Sequence, residues 1–390
     1  MRRAAWLLAT LWACAEPVPD RECFADADCA DGTRCAAFGR CLPLLACRSS
    51  LASQPEQETA TLASANLWAP LADGRVLRGW TQGGAAHLSC QALDRLDAPD
   101  RVAGQVGAVD TDDVAYPPQQ AAVIGELTYV ATLATGEAPA VVLSRVDPAG
   151  EGCAITELGR WPRGEHADFA AVVPARDGRP VLVYPALEGG LAFITEGAAE
   201  PVVIERDVEH LAAVGCDYAA CDARLLIDDW TGQIIALDYD LSVPEAPLQR
   251  WARPVAEGVL VAATDADGAS WAVVSPRSGT YTLLRTDAGG QWASIATHEG
   301  PMGAPAQGAL AWAQALDPAR RGRLAWAVVD GEGLHVRTRD GAAALGELTL
   351  AAPAEDQEPR YPALVTVSRG VLAAWVHAAT AQRWVWLQCP

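Results

Sequence analysis

Ala170-Ala171-Val172-Val173-Pro174-Ala175-Arg176-Asp177-Gly178-Arg179-Pro180-Val181-Leu182-Val183-Tyr184 is the stretch that decides the fold. Two short apolar runs flank a charged Arg-Asp-Gly turn, the pattern of two buried strands joined by a tight hairpin. The same texture fills the chain from about residue 50 onward, with further turns at Ala72-Asp73-Gly74, Ala266-Asp267-Gly268 and Asp330-Gly331. No window carries an apolar stripe at the helical period long enough for a structural helix.

The pair of runs recurs. Its second member is found at Val76 to Trp80, Leu127 to Leu133, Val181 to Tyr184, Leu225 to Ile227, Trp271 to Val274, Leu324 to Val328 and Leu372 to Val376. These segments are spaced by roughly 49 residues, near the repeat length of a propeller blade. The prediction is an all-β chain, a seven-bladed β-propeller, with six or eight blades left open because the third and fourth strands are poorly marked. The last unit holds only three strands: Ala363 to Val367, Val371 to Val376 and Arg383 to Gln388. An unpaired edge is costly to leave exposed, so Leu44 to Ser50 is expected to supply the missing outer strand and bring the chain ends into one blade.

Composition narrows the function. All 29 basic residues are arginine, so lysine-dependent chemistry is excluded: no P-loop lysine, no Schiff base and no pyridoxal linkage. A formal charge of −20 argues against a nucleic-acid partner, because the phosphate backbone would be repelled at long range. No Gly-x-Ser-x-Gly, His-Glu-x-x-His or Gly-rich phosphate loop is present.

Arg2 and Arg3 precede an apolar run, Ala4 to Ala13, too short to span a bilayer. That pairing reads as an export signal. Leu11-Trp12-Ala13-Cys14 resembles the lipobox of bacterial lipoproteins, which implies lipidation of Cys14 and, with Ala15 following, sorting to the outer membrane or periplasm. Ala13-Cys14-Ala15 also fits the small-x-small pattern of ordinary signal cleavage, which would release a soluble secreted protein starting at Glu16. The lipid anchor is the preferred reading of the two.

Either way ten cysteines remain after Cys14, an even set that fits five disulfides in an oxidising compartment. Cys23, Cys29, Cys35 and Cys41 recur with five residues in each gap among turn formers and charges. This string resembles the short Dickkopf-like cysteine-rich modules that follow the lipobox in many bacterial lipoproteins. Zinc is disfavoured by the gap length. Asp26, Asp28 and Asp31 miss the spacing of a calcium loop. Four cysteines allow three connectivities; Cys23–Cys35 with Cys29–Cys41 is the hypothesis carried. Cys216 and Cys221 flank a short turn and are expected to bond to each other. Cys47–Cys389 would follow from strand closure, leaving Cys90–Cys153 by elimination. The expected organisation is signal peptide 1–13, tether 14–22, cysteine-rich module 23–43 and propeller 44–390.

Propeller ligands sit at the mouth of the central channel. Aligning the units on their innermost strands (Ala121-Ala122-Val123, Ala170-Ala171-Val172, Ala212-Ala213-Val214 and counterparts) places Glu58, Gln119, Asp168, His210, Glu257, Gln307 and Tyr361 just upstream. This polar ring is the candidate binding site, and its acids favour a cation, a sugar or a basic peptide. Two repeated pairs, Glu165-His166 and Glu209-His210, fall out of register with each other when the strands align.

Arg285-Thr286-Asp287-Ala288-Gly289-Gly290-Gln291-Trp292 resembles the Asp-box of sialidase-like propellers, with Arg285 where that family has Ser. Asp229-Trp230-Thr231-Gly232-Gln233 similarly resembles the hairpins of quinoprotein-type propellers. Both resemblances imply structural turns rather than chemistry. The expectation is therefore a lipid-anchored, monomeric binding or scaffolding module without cofactor or metal, whose ligand is a protein, peptide or glycan. The alternative is an exported propeller enzyme acting on a glycan or peptide.

Overall fold

The computed structural model describes short strands within 33–58 and, from residue 67 to residue 388, the strands with a minority of the turns that connect them. An N-terminal hairpin, β1 (Thr33–Cys35) and β2 (Cys41–Pro43), sets Cys35 opposite Cys41 along the backbone. Two further short strands, β3 (Arg48–Ser49) and β4 (Gln57–Glu58), belong to the last sheet described below.

Every other described strand falls into an antiparallel sheet built from consecutive strands. The first sheet is β5 (Leu67–Pro70), β6 (Val76–Gln82), β7 (Ala85–Gln91) and β8 (Gly104–Ala108). The second is β9 (Gln119–Ile124), β10 (Leu127–Ala134), β11 (Ala140–Ala149) and β12 (Gly152–Pro162). The third is β13 (Ala171–Pro174), β14 (Pro180–Pro185), β15 (Leu191–Thr195) and β16 (Val202–Ile204). The fourth is β17 (His210–Val214), β18 (Ala223–Asp229), β19 (Gln233–Tyr239) and β20 (Leu248–Pro254). The fifth is β21 (Val259–Thr264), β22 (Ser270–Val274), β23 (Thr280–Thr286) and β24 (Trp292–Glu299). The sixth is β25 (Gln307–Ala313), β26 (Arg323–Asp330), β27 (Gly333–Asp340) and β28 (Ala343–Ala351). The seventh begins with β29 (Arg360–Val367), β30 (Gly370–His377) and β31 (Ala381–Gln388).

The seventh sheet is completed from the other end of the chain. Arg48 and Ser49 of β3 pair with Gln388 and Leu387, and Gln57 and Glu58 of β4 pair with Gln382 and Ala381, all along the outer edge of β31. First strands of successive sheets touch in cyclic order, β5 to β9, β13, β17, β21, β25 and β29, and β29 touches β5 again. The sheets therefore stand around a closed ring, an all-β propeller arrangement.

Each second strand lies between two sheets, which explains its continuous apolar sequence. In β14, Val181 and Val183 face the fourth sheet with Phe193, Leu225, Ile227 and Tyr239. Leu182 and Tyr184 face the second sheet with Leu133, Val141 and Leu143. The period-two alternation thus sorts one strand into two cores. Among the described residues, one such cluster fills every junction around the ring, including the closing one, where Val365, Leu372 and Trp384 meet Trp68 and Val76. Burying a Val or Leu side chain contributes about 1.5–3 kcal/mol, and these junctions supply nearly all of it.

Turn chemistry repeats along with packing. In the first sheet the Arg75 amide donates to Asp73 Oδ1 at 3.1 Å, and in the third the Arg179 amide donates to Asp177 Oδ1 at 3.0 Å. Gly74 and Gly178 take φ of +84° and +80°, a conformation only glycine adopts without strain. The Arg179 amide and guanidinium together hold the Asp177 carboxyl below the usual carboxylate range.

Two contacts tie neighbouring sheets covalently or electrostatically. Cys90 of β7 and Cys153 of β12 are bonded, with Cα atoms 5.8 Å apart, linking the first sheet to the second. Arg224 of β18 donates to Asp238 of β19 through Nε at 2.8 Å and Nη2 at 3.3 Å, both side chains being buried. Its Nη1 donates to Ser270 Oγ of the fifth sheet at 3.0 Å. Ser270 in turn donates its amide to Thr286 Oγ1 at 2.8 Å. Cys221 is also disulfide-bonded; Cys216 lies outside the described residues, as do the sulfur pairings of Cys23, Cys29, Cys47 and Cys389.

Candidate functional site

Strand direction defines two faces of the ring. On one, the chain enters the first strand of each sheet and makes the hairpin between second and third strands. On the other lie the first-to-second and third-to-fourth turns. The predicted polar ring belongs to the first of these, here called the upper face.

Gln119, His210 and Gln307 each open a first strand, facing Thr132, Asp228 and Val329 across the ladder, and Tyr361 is the second residue of β29. Their backbones therefore share the upper face. Glu58 does not. It pairs with Ala381 at the outer edge of the seventh sheet, and the first strand begins later, at Leu67. The cause is the closing strand: residues that repeat spacing assigned to the first unit serve the last one instead. Asp168 and Glu257 lie outside the described residues, and so does His166.

Gln119 is the ring member whose side chain is described, and it is 1% exposed. Its amide turns into the junction between first and second sheets, over Gly79. A Cβ at Gly79 would stand 2.7 Å from Gln119 Oε1 and 2.9 Å from Leu67 Cβ, so glycine is needed for this close approach. Oε1 and Nε2 of Gln119 and Oγ1 of the facing Thr132 are buried without a hydrogen-bond partner. Such groups are uncommon in folded proteins.

A second polar cluster was invisible in the sequence. Tyr281 at the start of β23, His298 near the end of β24 and His335 near the start of β27 all come to the upper face, between the fifth and sixth sheets. The Tyr281 and His298 rings are 6.1 Å apart and the His298 and His335 rings 5.7 Å apart. His335 Nδ1 lies 3.0 Å from Glu347 Oε1 and 3.3 Å from Thr349 Oγ1. Glu347 Oε2 accepts from Arg337 at 2.9 Å, and that guanidinium stacks on Trp326 at 5.4 Å. Tyr281 donates its hydroxyl to the Val329 carbonyl, pinning one sheet to the next. The cluster offers imidazole and carboxylate groups for hydrogen bonding to a polar ligand. Among the described residues no group of three or more His, Cys, Asp or Glu has the geometry to hold a metal ion.

At the closing junction Arg78, fully buried, lies 5.4–5.6 Å from the rings of Trp68, Trp80 and Trp384. These tryptophans come from the first and last sheets, so the arginine cements the seam through cation–π contact. Burial also pushes the Tyr184 hydroxyl up to about 12. Tyr129 is raised by burial first and by Glu196, which it hydrogen-bonds, second. Both phenols are core groups, protonated across physiological pH.

The two motif-like segments are hairpins. Arg285 near the end of β23 stacks on Trp271 at 5.0 Å, and Trp292 opens β24 with its ring buried in the junction core. Asp229 and Gln233 face each other where β18 meets β19.

No protein-family model and no curated protein matches the chain. Solved structures do match in shape. One is BBS1N from its complex with ARL6DN, at a TM-score of 0.56 and 10% identity, covering 87% of this chain and 96% of that one. Another is the N-terminal domain of Nup159, at a TM-score of 0.50 and 12% identity, covering 88% and 95%. A chain from an S. cerevisiae assembly of Dbp5 bound to Nup159 matches at a TM-score of 0.50 and 12% identity, covering 88% and 94%. At such identities the likeness shows the fold alone. Among the described residues no helix is long and apolar enough to cross a membrane. Sheets, ring closure and these likenesses agree that the chain is folded as a β-propeller.

Proposed function

We propose that this chain is a seven-bladed β-propeller that is exported, held at a membrane by lipid on Cys14, and serves as a binding or scaffolding module for a protein or peptide. One observation carries the binding role: a closed ring of sheets collects polar positions from sequence-distant units on one face, including Gln307 and the Tyr281–His298–His335–Glu347 cluster. Support for a protein ligand comes from the matching structures, since BBS1N and Nup159 were each solved with a protein partner. The seven sheets of four or five strands among the described residues support the blade number. A disulfide between sheets supports an oxidising compartment.

The test is site-specific photo-crosslinking in intact cells that export the protein. A crosslinker at His298 or Gln307 on the upper face is expected to capture one discrete partner, whereas the same group at Asp73 on the opposite face is not. Equal capture from both faces, or none from either, would overturn the reading. For the anchor, Cys14→Ser should move the mature protein from the detergent phase to the aqueous phase. A natural N-terminus at Glu16 would remove the lipid from the proposal.

A further inference from the structure

Outer strands of a propeller are sheet edges, and soluble proteins blunt such edges with charge, proline or brevity. Three outer strands have side chains described along their whole length. The edge of β12 exposes Glu157 and Arg160, ion-paired at 3.1 Å. The edge of β24 exposes Ser294, Thr297 and Glu299. By contrast β16, three residues long and preceded by Pro201, carries no charge and exposes apolar groups, Val202 at 42% and Val203 at 51%. Leu187, in the hairpin that precedes β15, adds a further exposed apolar side chain at 59%.

The backbone there is available as well. Val202, Val203 and Ile204 pair inward with Phe193, Ala192 and Leu191, and β16 ends its sheet. Period-two alternation sends Val202 and Val203 to opposite faces of the edge. An added strand would therefore find an apolar contact on each side.

Charge selects the occupant. From residue 186 to residue 204 the chain has Glu188, Glu196 and Glu200 and no Arg, Lys or His. Glu188 and Glu200 are exposed, and Glu196 accepts from Tyr129. Arg145, which acts on Glu196, is engaged with Asp147 at 2.9 Å, and the Glu205-Arg206-Asp207 run that follows β16 in the sequence keeps the balance acidic. A second copy of this chain would bring another −20 charges to the same acidic frame and be repelled. A segment alternating apolar and basic residues suits both features.

We infer that β16 is a strand-addition site, taking an extended apolar-basic segment of a partner protein as a fifth strand of the third sheet. This rests on the proposed binding role and locates a contact at the outer edge of the third sheet, away from the polar ring and the histidine cluster.

The test uses the whole protein and two synthetic peptides, one alternating Arg and Val and its Glu-Val counterpart. The Arg-Val peptide is expected to bind and slow amide exchange at residues 202–204, while the Glu-Val peptide does neither. Val202→Asp with Val203→Asp makes the site more acidic but no longer apolar, and is expected to weaken binding at least about tenfold. Its melting temperature checks that the fold is intact. Glu188→Gln with Glu200→Gln should weaken binding several-fold at low salt and less at high salt. Undiminished binding to the aspartate variant, protection elsewhere, or dimerisation of the parent that the variant loses would overturn the proposal. Partner capture at the upper face with no effect at β16 would sink this site alone; failure of both would sink the binding role too.

Discussion

The third sheet and the seventh are built from the same repeat and closed in opposite ways. In the third, β13 to β16 follow one another through short turns within residues 171–204. In the seventh, the edge of β31 pairs with Arg48–Ser49 and Gln57–Glu58, separated from it by the whole ring. Local pairing is cheap in chain entropy and can form early, whereas the long-range pairing comes only after a very large loop has closed. The ring is therefore weakest where its ends meet, and the devices gathered there, such as Arg78 among three tryptophan rings, answer that weakness.

The largest test of this contrast is the seam itself. Arg48 faces Gln388 in the ladder, and the proposed Cys47–Cys389 bond would lock that register. In the chain-entropy view a loop of this length contributes about 5–6 kcal/mol. Cys47→Ser should lower the melting temperature sharply and leave Cys389 open to thiol labelling. An unchanged melt with no new reactive thiol would remove the bond from the account.

Next in size is a tie between adjacent sheets. Asp238→Ala removes the carboxylate that neutralises buried Arg224 and is expected to cost about 3–5 kcal/mol in denaturant unfolding. Replacing both Arg224 and Asp238 by apolar residues of similar size should recover most of that loss. If the double variant is as poor as the single one, the pair does more than satisfy its own burial.

Leu182→Ala and Leu372→Ala compare the two sheets directly, since both leucines are fully buried in second strands. Each should cost about 2–5 kcal/mol. Hydrogen exchange is the discriminating measurement: Leu372→Ala should open the seventh sheet selectively, while Leu182→Ala should speed exchange only with global unfolding. The reverse pattern would place the weak point elsewhere.

The smallest expected effect is at the repeated turn. Asp177 is held below its ordinary value by the Arg179 amide, then by its guanidinium. The contribution is therefore present above the unfolded carboxylate value and lost as pH falls through the folded one. Asp177→Asn should flatten that part of an acid titration of stability, with little change at neutral pH. A variant whose acid limb matches the parent would show that the turn carries no linkage.

Much of the fold was legible because burial on both faces leaves a strong mark. All of the second strands read from the sequence, from Val76 to Trp80 through Leu372 to Val376, lie within second strands of the structure. Completion of the last sheet from near Leu44 to Ser50 was legible from a shortage, since three strands leave an edge uncovered; β3 covers it. Less of the site could be read. The backbone positions of Gln119, His210 and Gln307 followed from the repeat, but Glu58 was misplaced because the closing segment shifts the first unit's start to Leu67.

Residue identity and alternation by themselves determined that this chain is all-β and repeats near blade length. Those are local properties, written in nearest neighbours and in period-two burial. Only the tertiary structure decided that Gln119 turns inward over Gly79, that His298 meets His335, and that β16 is an apolar edge without charge. Such facts depend on the angle and register between sheets, which arise from packing around the closed ring, and no spacing along the chain encodes them.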